Sequence, residues 1–252
     1  MANVALSVLD QHYARAWEAM GQKWHQRDAI RRRGGATYRL IRYADDFVIC
    51  VSGERRHAEQ LIAETEQVIA PLGLSLSKEK TRVVHIDEGI DFLGWRIKRQ
   101  PRGSDGRRYV YTYPSKRSLA AVKAKVRQIT RSGQNQTLAE LLHRLNPVLR
   151  GWCAYFRCGV SSQTFAYLDA IAWRGCCDVR WKYPRRNMRW LIGHYLPGWQ
   201  PTDGTATLFR PAKVATNRYR YRGAKIATPW EAGWIARRDP VCGPERLENL
   251  VA

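Results

Sequence analysis

The chain of 252 residues carries 43 Lys and Arg against 22 Asp and Glu, a formal net charge of +21 and a pI near 10.2. Hydrophobic residues make up 44% and aromatics 11%, enough for a packed core, which excludes wholesale disorder. No run approaches the ~18 apolar residues of a membrane span, the first twenty residues lack a signal peptide's pattern, and the six cysteines show no CxxC spacing. A reduced, cytoplasmic protein is expected, with no membrane partner, no zinc finger and no disulfide framework.

In chain order, Leu6, Leu9, Tyr13, Trp17 and Met20 recur at helical spacing over residues 4–20. The basic stretch Gly21 to Gly35 reads as a loop. Residues 36–52 are rich in β-branched and aromatic residues but are interrupted by Ala44-Asp45-Asp46, which predicts a hairpin with a tight acidic turn. A helix is predicted over 54–72, ended by Pro71 and Gly73. Three short strands follow, around 82–87, 91–98 and 108–113, with the last two joined at 103–106. After Pro114 the pattern turns helical. One helix covers 115–131. A capping box at Thr137-Leu138-Ala139-Glu140 opens the next, and Asn146-Pro147 reads as a cap and first-turn proline that begins a further helix. Two more helices are expected, at 162–181 and 186–195, and 196–252 reads as mostly irregular. The fold class is α+β, with a sheet-bearing segment over 1–114, a helical bundle over 115–195 and a basic extension over 196–252.

The charge is uneven along the chain. Residues 1–100 hold 16 basic and 13 acidic side chains, whereas 101–252 hold 27 and 9. So basic a second part calls for a polyanionic partner, nucleic acid first. Aromatics interleave with the basic residues throughout, which speaks against an anionic membrane surface.

Asp45 and Asp46 sit inside a run of apolar β-formers. Adjacent carboxylates repel one another and resist burial. A hard divalent cation such as Mg²⁺ relieves both costs, and a tight hairpin holds it in place for phosphoryl transfer. A solvated turn accounts for the same pair equally well. Lys80 reads either as a phosphate-reaching point charge or as a solvated lysine. Gly94 interrupts a strand pattern, as at a bulge or a close backbone approach.

Tyr43-Ala44-Asp45-Asp46 resembles the YxDD box of reverse transcriptases, and its surroundings, YRLIRYADDFVICVSG, are similar to those of group II intron reverse transcriptases. The resemblance continues in order through Leu74-Ser75-Leu76-Ser77-Lys78-Glu79-Lys80-Thr81 and Asp91-Phe92-Leu93-Gly94-Trp95. It reaches the maturase-specific region, or domain X, at Leu145-Asn146-Pro147-Val148-Leu149-Arg150-Gly151-Trp152 to Tyr155-Phe156-Arg157. It covers about residues 2–195. It implies a partial reverse-transcriptase palm over 1–114, a thumb-like maturase domain over 115–195, Mg²⁺ held by Asp45 and Asp46, and Tyr43, Lys80 and Gly94 along the primer–template. Ala2 to Asp10 resembles the end of the block preceding YxDD. The family's fingers and the palm strand with its first metal-binding aspartate are absent upstream, and Asp10 and Asp28 do not replace it by motif. The chain is therefore expected to be the C-terminal half of an intron-encoded protein, inactive as a polymerase by itself and open to complementation by a separately encoded N-terminal fragment.

In the helical part the apolar stripes are core, and Lys123, Arg127, Arg131, Arg144, Arg150, Arg157, Arg174, Arg180, Lys182, Arg185, Arg186 and Arg189 remain on the other faces as candidate RNA contacts. Group II intron RNA and an RNA/DNA primer–template are the implied partners, in a ribonucleoprotein. The alternatives are an RNA-binding splicing factor without polymerase activity, and an inactive truncated remnant.

Overall fold

Residues 2–103, 106–131, 136–177 and 187–217 are described by a computed structural model. The chain divides into two compact units, Met1–Leu93 and Gly94–Ala252. The architecture is α+β, with helices and small antiparallel sheets.

The first unit contains helices α1 (Ala2–Ala5), α2 (Ser7–Ala19) and α3 (Trp24–Arg32), strands β1 (Thr37–Tyr43) and β2 (Asp46–Ser52), helix α4 (Arg55–Ile69) and the short strand β3 (Ile90–Phe92). The β1–β2 pair is a hairpin in the register Thr37↔Ser52 to Tyr43↔Asp46. Side chains alternate across a strand, so Tyr38, Leu40, Phe47, Ile49 and Val51 share one face. They pack against Leu9 and Tyr13 of α2 and Leu61 and Ile69 of α4. The buried Tyr13 hydroxyl lies 2.7 Å from Thr65 Oγ1, which donates to the Leu61 carbonyl. Beyond α4, a 3₁₀ turn over Ala70–Leu72 ends at Gly73, whose φ of 69° is the left-handed conformation glycine adopts without strain.

Two expectations fail in this unit. Residues 21–35 are not a loop: α3 forms there although it has no wide apolar stripe. Gln26 Oε1 accepts from the Lys23 N–H at its start, and Asp28 pairs with Arg31 and Arg32 one turn on. The strand expected over 82–87 is absent. Its residues find no ladder partner among the described residues, and the segment closes into a turn in which the His85 carbonyl accepts from Glu88 and Gly89.

The second unit opens with the hairpin of β4 (Trp95–Pro101) and β5 (Arg108–Pro114), paired from Trp95↔Pro114 to Pro101↔Arg108. It continues through α5 (Lys116–Arg131), α6 (Leu138–Phe156), α7 (Ser162–Cys177), α8 (Met188–Tyr195) and the two-residue strands β6 (Thr202–Asp203) and β7 (Ala206–Thr207). The hairpin packs with the helices: the Trp95 ring meets Tyr155 and Phe156, and the Thr112 carbonyl accepts from Val160. The capping box forms as expected, with Thr137 Oγ1 accepting from Glu140 N and Glu140 Oε2 accepting from Thr137 N. Leu141, Leu142, Leu145 and Leu149 of α6 form the centre of a core with Val122 and Val126 of α5 and Leu168 and Ala172 of α7.

Helix α6 does not break at Asn146-Pro147; it runs through Pro147. The fully buried Leu145 and Leu149 anchor both sides of the proline in the same core. Asn146 does not cap: its amide donates to the Thr207 carbonyl, and its Oδ1 accepts from Phe209 N. Nor are residues 196–217 simply irregular. Leu208 is buried, β6 pairs with β7, and Arg210 makes a two-pronged ion pair with the buried Asp169 of α7. Helix α7 is described to Cys177, and the expected residues 178–181 lie outside the described residues.

Candidate functional site

The acidic turn is the tip of the β1–β2 hairpin. Tyr43 and Asp46 face each other as the last pair, so Ala44 and Asp45 form a two-residue loop. Ala44 takes a φ of 54°, the positive value such tight hairpin loops require at their first central position. Asp45 and Asp46 are both exposed, and Tyr43 is 67% exposed. Tyr43 and Asp46 lie on the outer face with Ile41 and Arg39, opposite the packed face.

Arg42 secures this tip. Its guanidinium grips the Asp10 carboxylate of α2 through Nε and Nη2, at 3.0 and 3.2 Å from Nε, while Nη1 donates to the Ala44 carbonyl at 2.6 Å. The hydrogen bond to Asp10, and then its charge, hold the Arg42 guanidinium above its ordinary pKa. The turn is thus tied to a packed helix. Sequence reasoning missed this clamp, because Asp10 and Arg42 are distant in the chain and neither carries a local motif.

The donor set fits a hard divalent cation in kind: two neighbouring carboxylates, with room for phosphate oxygens and water. It is not a cage. Among the described residues no group of three or more His, Cys, Asp or Glu side chains converges. Asp10 is taken by Arg42, and Asp28 by Arg31 and Arg32.

The remaining predicted residues are spread out. Lys80 is exposed in a turn where the Ser77 carbonyl accepts from Lys80 N and Thr81 N. Gly94 has a φ of 79°, and its carbonyl accepts from Ser115 N at the base of the β4–β5 hairpin. Arg150 is half-buried with its guanidinium 5.7 Å from the centre of the Phe209 ring. Arg157 ends α6, where its carbonyl accepts from Asn217 N. Arg174 is exposed on α7. Arg180, Lys182, Arg185 and Arg186 lie outside the described residues. The helices bring part of the expected basic set together around a residue that sequence reasoning did not name: Lys123 Nζ of α5 donates to the Tyr167 hydroxyl of α7 at 3.0 Å. That hydrogen bond, with the charges of Lys123, Arg127 and Arg174, lowers the Tyr167 pKa. The helical spacing of 123 and 127, and of 167 and 174, was the available signal; the pairing of α5 with α7 was not.

Two family models match this chain in succession. Reverse transcriptase (RNA-dependent DNA polymerase) matches residues 3–97, which include the acidic turn, and the maturase-specific domain of group II introns matches residues 119–196. In this order the two matches make the chain similar to a group II intron reverse transcriptase followed by its maturase-specific domain. It is 29% identical to Protein YkfC of Escherichia coli (strain K12) over 147 residues, covering 50% of this chain and 39% of that protein. It is 32% identical over 63 residues to the COX1/OXI3 intron 2 protein of Saccharomyces cerevisiae (strain ATCC 204508 / S288c), covering 25% of this chain and 7% of that protein. The chain thus spans about two fifths of the length of the first relative and a small part of the second. Family enzymes of this kind use divalent metal ions. No described helix is long and apolar enough to cross a membrane.

Proposed function

We propose that this chain supplies the acidic turn and the RNA-gripping helices of a group II intron reverse transcriptase/maturase. The observation that carries this reading is the succession of the two matches: an exposed acidic hairpin tip in the first, and a strongly basic helical unit in the second. Residues 1–114 serve as part of the palm, 115–195 as the thumb-like maturase domain, and 196–252 as a basic extension. The second unit binds intron RNA through phosphates, using Arg174 with Lys123 and Arg127 from the described helices, and Arg180, Lys182, Arg185 and Arg186 beyond them. Tyr43, Lys80 and Gly94 border the primer–template. The working form is a ribonucleoprotein.

Asp45 and Asp46 are the ligands for Mg²⁺, which when bound supplies Lewis-acid alignment of a hydroxyl and a triphosphate. The Arg42–Asp10 clamp keeps both carboxylates at a fixed place relative to α2. The resemblance places a further metal-binding carboxylate in the palm segment before the matched region, and a fragment carrying that segment would supply it.

The test is Mg²⁺-dependent primer extension by the chain with such a fragment supplied. Asp45→Ala should abolish extension, and Asp46→Ala should weaken or abolish it. Unchanged extension in Asp45→Ala would reduce the pair to a solvated turn. RNA binding and assisted splicing that persist in both variants, with no extension under any condition, would leave a splicing factor.

A further inference from the structure

The charge inside the first unit is polarised. Residues 21–39 hold six basic side chains and one acidic one, whereas the rest of residues 1–93 hold seven basic and twelve acidic. Asp28 answers Arg31 and Arg32. Arg27 and Arg39 have no carboxylate partner among the described residues. Both guanidinium groups lie over the Trp17 ring, with Cζ at 4.1 Å for Arg27 and 5.4 Å for Arg39 from its centre. Arg27 also donates from Nη2 to the Gln22 carbonyl. Cation–π contact holds two long side chains in place before any ligand arrives, which reduces the ordering cost of capture. The planar guanidinium matches a phosphate in two-pronged fashion. Trp24, one helical turn before Arg27, stands 70% exposed, as a base-stacking side chain would.

Of this pair, Arg39 lies on the strand that leads to the acidic turn. Arg39, Ile41 and Tyr43 alternate onto the outer face of β1, and Tyr43 is the cross-strand partner of Asp46. Four residues of extended strand cover about 13 Å. A strand of duplex advances about 3.4 Å per nucleotide, so that distance corresponds to about four nucleotides.

We infer that Arg27 and Arg39, stacked on Trp17, form a phosphate clamp for the nucleic-acid strand whose end lies at the acidic turn, gripping it about four nucleotides from that end. The inference rests on the reading under Proposed function. It adds a contact in the first unit to those proposed for the basic helices of the second.

The experiment measures binding of the full chain to a short RNA–DNA hybrid across a salt series, with single phosphates of the primer strand replaced one at a time by neutral methylphosphonates. The clamp predicts that neutralising the phosphate about four nucleotides from the primer end weakens binding by the unaltered chain. Arg27→Gln with Arg39→Gln should lose that sensitivity and flatten the log–log salt slope by roughly 1.8, about 0.9 for each contact. Arg39→Gln alone keeps Arg27 on the indole and should flatten it by about 0.9. A merely structural staple would lower the thermal midpoint and leave both slope and phosphate scan unchanged, which overturns the clamp while the nucleic-acid reading stands. A chain that fails to bind the hybrid at any salt overturns both.

Discussion

Residues 1–93 hold 13 basic and 13 acidic side chains, and residues 94–252 hold 30 and 9, so the whole net charge of +21 belongs to the second unit. The two units differ as much in what they fix. The first has a small core of Leu9, Tyr13, Leu61 and Ile69, and presents a strained, exposed acidic tip. The second has a broad leucine-centred core that carries a helical surface with an exposed cationic cluster around Tyr167. Repulsive like charges are tolerable on the second unit because burial of its helices does not depend on them. The neutral first unit leaves two carboxylates unneutralised at one point. A phosphoryl-transfer site needs the arrangement of the first unit, and grip on a polyanion needs that of the second.

The sharpest contrast should come from the two Arg–Asp clamps. In the second unit Asp169 is nearly buried beneath Arg210. Arg210→Ala strands that carboxylate and should cost about 3 kcal/mol in chemical denaturation. In the first unit Asp10 is about half exposed beneath Arg42, so Arg42→Ala should cost only about 1 kcal/mol. Equal losses would mean that the acidic tip is held as firmly as the helical core. An effect of similar size to that of Arg42→Ala but of opposite sign is expected at Pro147, which sits inside α6 without an N–H to donate. Pro147→Ala should raise stability by about 1 kcal/mol.

Two tyrosines separate the units by pH rather than by energy. Burial pushes the Tyr13 phenol up to about 12, so its contribution is complete below pH 10 and is lost as pH rises from 10 toward 12. Tyr13→Phe should remove that alkaline loss. Tyr167 moves the other way, because its ionised form is favoured by the Lys123 hydrogen bond and by neighbouring cations. Tyrosinate absorbance should show a phenol that ionises below the ordinary value of 10 and disappears in Tyr167→Phe; its persistence there would separate Tyr167 from the cationic cluster.

Local signals carried much of this arrangement. A β-forming run broken by Ala44-Asp45-Asp46 was enough for the hairpin, because two adjacent aspartates have few other places in a strand run. Thr137 and Glu140 marked the start of α6 for the same local reason. What was not legible depended on partners distant in sequence. Helix α3 has too few apolar residues for a periodic stripe and is held by Gln26 and Asp28. Asn146-Pro147 has the signature of a helix start, yet the buried leucines on both sides outweigh it. The fold of residues 196–217 depends on Asn146 and Asp169, which no reading of that segment supplies. The Arg42–Asp10 clamp and the stacking of Arg27 and Arg39 on Trp17 are likewise tertiary.

The division of labour between the units is tested most directly by the salt dependence of binding to structured intron RNA. Several phosphate contacts should give the unaltered chain a log–log slope steeper than about −3, at roughly 0.7–0.9 per contact. Changing Lys123, Arg127, Arg131 and Arg174 together to Ala should flatten that slope markedly and lower affinity while helical content is unchanged. Changing Arg15, Arg55, Arg56 and Lys78 of the first unit should alter neither by much. Equal losses from the two sets would show diffuse electrostatics and contradict an RNA-gripping face on the second unit.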